Sequence, residues 1–384
     1  MSNIPKLRFP EFKGEWEEKR IDSIFDEKKE KNHPSEEVLT IIQGTGTVPR
    51  KASGRNIIFD EKSLSSYKFV QKDDFIIHLR SFEGGLEIAN SNGIVSPAYI
   101  IMHPKLLIAS KFYYSYFRSY KFINHVLPVS VEGVRDGRQI KYPILKEEKI
   151  PFTSFAEQQK IADFLSNVDS IITAETKILN TLQKKKKALM QKLFTLQLRF
   201  KSDDGKDFPA WEEKKLGECV EILDSQRKPI ESKERANRKG EYPYYGASGI
   251  IDYIDDFLFE GESILLGEDG ANIINRNSRL AFIATGKYWV NNHAHIMKAN
   301  ADNLNYFICE YLESLDYSKI CAGSAQPKLT QDVIRNLTIK APCKSEQQKI
   351  ADCLSSMDSL IQTQQKVVTT LQQRKKALLQ QMFV

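Results

Sequence analysis

Arginine, asparagine, glutamine and lysine gather in a few glycine-containing segments of this chain, where their side chains could do recognition chemistry. In the first half Arg80 and Ser81 precede Glu83, Gly84 and Gly85, and the segment from Gly133 to Lys141 carries Arg135, Arg138, Gln139 and Lys141. In the second half GEDGANIINRNSR carries Asn272, Arg276 and Arg279, WVNNHAH carries Asn291, Asn292 and His293, and GSAQPKLT carries Gln326 and Lys328. Arg, Asn and Gln can each make paired hydrogen bonds to base edges in the major groove of DNA, while Lys, Ser and backbone amides suit phosphates. Glycine lets the backbone approach a ligand closely. For any single residue the competing reading is an ordinary solvated turn. One feature occurs in both halves, Gln139-Ile140-Lys141 and Gln326-Pro327-Lys328, each shortly before a long helical segment. It fits phosphate contact better than sequence reading.

Catalytic chemistry finds little support. The Gly286-Lys287 pair lacks the upstream glycine and the following Ser or Thr of a phosphate-binding loop, and no GxGxxG follows a strand. The N/D-P-P-Y/F signature of N6-adenine methyltransferases is missing as well. His293 and His295 alternate and would share a strand face, where Cys309 or Cys321 could complete a zinc site. A structural or DNA-facing role is the favoured reading of these histidines. Asp73, Asp74, Glu268 and Asp269 lack a lysine in the context a nuclease requires. The expectation is a noncatalytic protein with no metal and no cofactor.

The elements that must position these loops emerge from a repeat. EQQKIADFLSNVDSIITAETKILNTLQKKKKALMQKLF, from Glu157 to Phe194, returns as EQQKIADCLSSMDSLIQTQQKVVTTLQQRKKALLQQMF from Glu346 to Phe383. About 22 of 38 positions are identical without a gap, which marks a duplicated structural unit. Ile161, Leu165, Val168, Ile172, Leu179, Leu182, Leu189 and Leu193 follow the alternating spacing of a coiled-coil seam. Ile350, Leu354, Met357, Ile361, Val368, Leu371, Leu378 and Met382 repeat it. Ser154 with Glu157 has the form of a capping box, and Ser345 with Gln348 offers a displaced version. At 1.5 Å per residue each helix runs roughly 55 to 60 Å.

Polar residues interrupt the seam at matching places, Glu175 and Lys186 in one copy, Gln364 and Lys375 in the other. If a pseudo-two-fold axis relates the halves, the helices run antiparallel, and Glu175 and Gln364 meet near the midpoints to fix register. The competing reading leaves both facing solvent. The lysine run from Lys184 to Lys187 is expected on a solvated face, where its charge suits the helix dipole, rather than in a nucleic-acid patch.

A second repeat opens each half: FKGEWEEKRI is echoed by FPAWEEKKL, with Trp16 matching Trp211. Between lead-in and helix lie regions of short β-branched and aromatic runs. FIIHLR, SILLGEDG and HAHIMKA resemble strands, and KFYYSYFRSY and LNYFICEYLESLD resemble helices. The predicted fold is α+β, a tandem repeat of two mixed globular domains joined by two long antiparallel helices. The boundaries are 1–153 for the first domain, 154–197 for its helix, 198–343 for the second domain and 344–384 for its helix. The helices stayed alike while the globular regions diverged, so the helices should bind one kind of partner twice and the domains two different things.

The bulk properties are compatible with this. With 384 residues the chain exceeds what one core usually serves. A formal charge of +6 permits an anionic partner without demanding one. Five cysteines with no CxxC pair suit a reducing cytosol, and no apolar run approaches membrane length. A cytoplasmic protein without a membrane partner is expected.

The EQQKIADFL and EQQKIADCL helices, the WEEK lead-ins, YYGASGI, GEDGANI, WVNNHAH and GSAQPKLT together resemble the specificity subunits of bacterial type I restriction-modification systems. The resemblance spans essentially the whole chain. It implies two target-recognition domains, held apart and inverted by the conserved helices, each reading one half of a bipartite double-stranded DNA target. It further implies two methyltransferase subunits docked on the helical regions and motor-nuclease subunits joined through that core. Tyr245 and Ser248 of the YYGASGI loop join the candidate DNA contacts on this ground. The first domain has HLRSFEGG and IVSPAYIIM where the second has LLGEDGAN and WVNNHAHIM, so its loops carry over loosely. That divergence implies an asymmetric target. The rival readings are a coiled-coil scaffold and a stand-alone DNA-acting enzyme such as a nuclease.

Overall fold

A computed structural model describes residues 3–54, 61–133, 138–321 and 327–383. It forms two compact units, residues 1–177 with 365–384 and residues 178–364, so the chain passes from one unit to the other inside each long helix. Those helices are Phe155–Phe194 and Lys344–Met382, and no seam position named above is exposed.

The first unit is built on an antiparallel sheet in the spatial order Phe25–Lys28, Ile100–Pro104, Phe75–Ile77, Glu87–Ile88. The second uses Val220–Ile222, Ala294–Ala299, Ser263–Gly267 and Ala281–Ala284 in the same order. The registers agree as well. Phe25 faces Pro104 as Val220 faces Ala299, and Phe75 faces Met102 as Ile264 faces Met297. Two regions with little sequence in common therefore share one frame, because a strand needs only an apolar face of the right period, which many sequences supply.

The WEEK lead-ins owe their repetition to pairing. Glu17–Arg20 pairs with Lys149–Phe152, and Glu212–Lys215 pairs with Thr338–Ala341, each time the strand that leads into a long helix. Trp16 is buried with its ring against Phe112 and Phe383, and Trp211 packs its edge on Phe307. The expected helices at Ser110–Tyr116 and Asn305–Ser314 lie on the sheets. Phe25, Phe75, Phe112, Tyr113, Phe117 and Phe122 fill the first core with edge-on and tilted ring contacts.

Within each unit the start of one long helix packs beside the end of the other, which makes them antiparallel. In the first unit Ile161 and Leu165 share a core with Met382 and Phe383, and Lys375 Nζ meets Asp169 Oδ1 at 2.5 Å. In the second, Met190 and Leu193 share a core with Ile350 and Leu354, and Lys186 Nζ meets Asp358 Oδ1 at 2.6 Å. Asp169 and Asp358 are equivalent in the repeat, as are Lys186 and Lys375. Each unit thus carries one lysine–aspartate pin. Glu175 and Gln364 are half-buried, one in each unit.

Two expectations need correction. Lys186 is buried, so only Lys184, Lys185 and Lys187 lie on a solvated face. The capping box is half made: Ser154 Oγ accepts the Glu157 amide at 3.3 Å, but the Glu157 carboxylate turns to Arg8 and Thr153. Ser345 lies inside the second helix, and Gln348 donates to Asp352 instead.

The most repeated residues are the most deeply used. Glu157 accepts from Arg8 at 2.7 and 2.9 Å, and Glu346 accepts from Arg199 at 2.6 and 3.1 Å and from Trp211 Nε1 at 3.0 Å. Gln158 and Gln347 each accept, at 3.0 Å, the amide that opens the neighbouring short helix, from Ala109 and Leu304 respectively. The EQ pair at each helix start is therefore a clamp between helix and globular region.

Candidate nucleic-acid interface

In the second unit four segments meet at one end of the sheet, beyond the paired Gly267 and Ala294, through backbone bonds. Glu268 N donates to His293 O at 2.8 Å, Leu329 N to Glu268 O at 2.8 Å, Gly270 N to Pro327 O at 3.3 Å, and Asn291 N to Tyr245 O at 3.0 Å. Gly267 belongs here because a Cβ would stand 2.7 Å from the Ala247 carbonyl oxygen. The segments carrying Tyr245 and Ser248, Asn292 and His293, and Lys328 are brought together.

A buried polar cluster holds the loops from below. His295 is buried; its Nε2–H donates to Leu329 O at 2.7 Å and its Nδ1 faces Asp224 Oδ2 at 2.5 Å. Arg227 bridges Glu268 at 2.9 Å and Ala294 O at 2.7 Å. Burial pushes the Asp224 carboxyl upward, but the hydrogen bond and charge of His295, the Ile296 amide and the charge of Arg227 together outweigh it and leave the group below its ordinary value. Above this floor Ser248, Asn292, His293 and the Lys328 amine are exposed, while Tyr245 is half-buried against Phe282 and Tyr288, with its phenol pushed up by burial. His293 faces Asp269 at 2.8 Å and Lys328 faces Glu268 at 3.3 Å.

Several sequence assignments change here. His293 precedes the strand Ala294–Ala299 and is exposed whereas His295 is buried, so the two do not share a face. Among the described residues there is no group of three or more His, Cys, Asp or Glu able to hold a metal ion. Asn272 spends its amide on Ser278, accepting its N–H at 2.9 Å and donating to its carbonyl at 3.2 Å, which closes a turn. Arg276 reaches Glu313 at 2.8 Å and lies over Tyr317, so in the free chain both residues are engaged in holding the loop's shape. Arg279 is likewise committed, to Glu310.

In the first unit Ser81 is wholly buried and accepts the His78 amide at 2.8 Å, so it too is a turn residue. Gly84 and Gly85 are structural: a Cβ at Gly84 would collide with the Gln43 side chain, and one at Gly85 would lie 2.0 Å from the Phe117 carbonyl oxygen. Arg80, Gln139 and Lys141 are exposed, and Arg138 lies 4.3 Å over the Phe82 ring. Lys141 faces Glu132 at 3.6 Å. Arg135 and Gln326 lie outside the described residues.

The two Gln-x-Lys segments are not equivalent in space. Lys141 immediately precedes the short helix Tyr142–Leu145, whereas Lys328 stands three residues before the matching helix Gln331–Arg335. Sequence reasoning missed Arg227 and Asp224, which lie 41 and 71 residues from their partners Glu268 and His295 and leave no local signal. It also missed Arg8 and Arg199, although the LRF tripeptide at Leu7–Phe9 and Leu198–Phe200 was a visible repeat.

The arrangement offers exposed donors and acceptors on loops with a rigid floor, the form that direct reading of base edges requires. No helix among the described residues is long and apolar enough to cross a membrane. The family model of the type I restriction modification DNA specificity domain matches residues 13–184 and again 210–373. A putative type I restriction enzyme MjaX specificity subunit of Methanocaldococcus jannaschii is 23% identical over 98% of this chain and 95% of its own length. A putative type I restriction enzyme specificity subunit of Haemophilus influenzae is 34% identical over 38% of this chain and 37% of its own length. The crystal structure of a type I restriction-modification system S subunit from M. genitalium has the same fold, with a TM-score of 0.61 over 99% of both chains at 19% identity. With two family matches in tandem over most of its length, the chain belongs to the type I restriction-modification specificity subunits, the noncatalytic DNA-recognition components of those systems.

Proposed function

We propose that the chain reads an asymmetric, two-part site in double-stranded DNA, one part per globular region, and brings two methyltransferase subunits, and through them motor-nuclease subunits, to that site in the cytoplasm. The observation that carries this reading is one sheet frame used twice with different loops on it. A common frame presents two readers alike, and different loops give them different sequences to read. The working division is residues 1–153 and 198–343 for recognition and residues 154–197 and 344–384 for assembly.

Base contacts are assigned to Arg80, Arg138 and Arg135 in the first region, and to Tyr245, Ser248, Asn292, His293 and Gln326 in the second. Gln139 lies beside these, and Lys141 and Lys328 serve phosphates. The test is to express the chain with a methyltransferase subunit in a host without adenine methylation and map the methylated adenines. A split motif is expected only when this chain is present. Exchange of residues 198–343 for those of a relative should change one half of the motif and leave the other. A motif unchanged by the exchange, or methylation without the chain, refutes the reading; cleavage or methylation by the purified chain alone would favour a stand-alone enzyme.

The phosphate assignment has its own outcome. Lys141→Ala and Lys328→Ala should each weaken binding to all sequences alike and lower the slope of log affinity against log salt by about 1. A changed target sequence in either variant contradicts it.

A further inference from the structure

Lys186 and Lys375 are equivalent in the repeated helix but differ in their company. In the second unit Lys186 is buried, pairs with Asp358 at 2.6 Å, and meets a second carboxylate, Glu310, at 2.9 Å. Arg279 bonds to Glu310 and the Tyr306 hydroxyl to Asp358, which closes the cluster. In the first unit Lys375 pairs with the matching Asp169 at 2.5 Å and is more open to solvent.

The short helices on which these partners stand are equivalent. Ala109 and Leu304 occupy the same place, each donating its amide to the clamp glutamine at 3.0 Å. Counting on from them, Lys111 takes the place of Tyr306 and Ser115 takes that of Glu310. The first unit has no carboxylate there; it has a cavity. A space of about 410 Å³ is lined by Ser115, Asp169 and Lys375, with Arg118 and Lys376 on its wall. A neighbouring space of about 700 Å³ shares Tyr114, Ser115 and Asp169 and adds Lys72, Lys111 and Lys177. These cations outnumber the carboxylates present, which are Asp73, Glu83 and Asp169.

We propose that this cavity is a carboxylate-binding site, which takes an acidic side chain of a partner protein at the place that Glu310 fills in the second unit. The molecule supplies its own template: in one unit the seam lysine receives its second carboxylate from within, and in the other the same lysine faces an opening. Tyr114, Tyr120, Ile123 and Leu379 on the wall suit the methylene stem of a glutamate, with the charge directed to Lys375 and Lys376. A nucleic-acid backbone lacks the methylene stem that these apolar walls would cover, and competition by duplex DNA separates the two anions. The site stands independently of which DNA sequence the chain reads.

The full-length chain should be titrated with N-acetylated, C-amidated tri-glutamate, followed by calorimetry or fluorescence, with tri-glutamine as the neutral control. The wild type is expected to bind the acidic peptide and not the neutral one. Ser115→Glu supplies the carboxylate internally, so it should weaken peptide binding at least tenfold and raise the unfolding midpoint by about 2 °C. Ser115→Ala should bind as the wild type does. Lys376→Gln removes a wall cation without touching the Asp169–Lys375 pair and should weaken binding several-fold, which keeps the test alive if Ser115→Glu misfolds. No binding by the wild type, equal binding of tri-glutamine, undiminished binding in Ser115→Glu and Lys376→Gln, or displacement of the peptide by random-sequence duplex DNA would each overturn the proposal.

Discussion

Arg199→Ala should destabilise the second unit by about 3 kcal/mol, the cost of leaving a buried carboxylate without its partner. Glu346 is wholly buried, and its ties are the two bonds from Arg199 and one from the Trp211 indole. Removing the arginine leaves the charge with a single neutral donor. Arg199→Lys should recover only part of the loss, because a lysine amine cannot reproduce the parallel pair of N–H groups. Arg8→Ala should act in the same way on Glu157 in the first unit. The check is the unfolding midpoint together with amide-exchange protection at the start of the second long helix. A loss below about 1 kcal/mol would reduce the clamp to the worth of a surface ion pair.

The first clamp also predicts a dependence on pH. Burial raises the Glu157 carboxyl, but the bonds from Arg8 and Thr153, the neighbouring Trp16 indole and the charge of Arg8 together outweigh this and leave it below its ordinary value. A carboxylate whose folded value is depressed stabilises the fold fully above the ordinary carboxylate range. That contribution is lost as pH falls through the depressed value. In Arg8→Ala the depression is relieved, so the acid limb of the stability profile should become shallower and the deficit against the wild type should shrink as pH falls through the wild-type value.

The helical frame was legible in the sequence and the loop chemistry was not, for one physical reason. A seam at Ile161, Leu165 and onward to Leu193 repeats because a helix must bury the same face turn after turn, so its periodicity is written locally. The repeated Trp and EQ residues stood out for the same cause, as each fills a fixed place in a clamp used twice. Loop residues are different. Asn292 and Arg276 look equally suited to DNA as residue types, yet one is exposed and the other is held by Glu313, 37 residues away in sequence. Nothing near Arg276 announces that partner. Its left-handed backbone, with φ of 50°, marks it as part of a turn, and that too is invisible in composition. The same holds for Lys186, whose run of lysines suggests a solvated stripe although one of the four points inward. Period distinguishes helix faces, but only long-range partners decide whether a charge on a face is buried.

Lys186→Met should cost the second unit about 3 kcal/mol, whereas Lys375→Met should cost the first about 1 kcal/mol or less. The substituted positions are equivalent in the repeat, and the side chains are similar in length, so helix propensity does not separate them. The difference lies in what remains behind. Without Lys186, the fully buried Glu310 keeps only Arg279, while the partly exposed Asp358 keeps Tyr306 and the neighbouring Arg279. Without Lys375, Asp169 remains half-exposed and is hydrated at once. Replacing Lys186, Glu310 and Asp358 together by apolar residues of similar volume should restore much of the loss, because desolvating three charges offsets most of what their attraction returns. The same triple variant should loosen the alignment of the paired helix ends in that unit, since apolar seams tolerate several registers where a lysine–aspartate pin tolerates one. Thermal unfolding reads the first effect, and disulfide trapping between engineered cysteines at Leu189 and Ser355 reads the second. In a Ser115→Glu background Lys375→Met should become clearly more costly than in the wild type, as the introduced carboxylate then depends on that lysine. Equal costs for Lys186→Met and Lys375→Met would mean that burial of the second carboxylate contributes nothing to the pin.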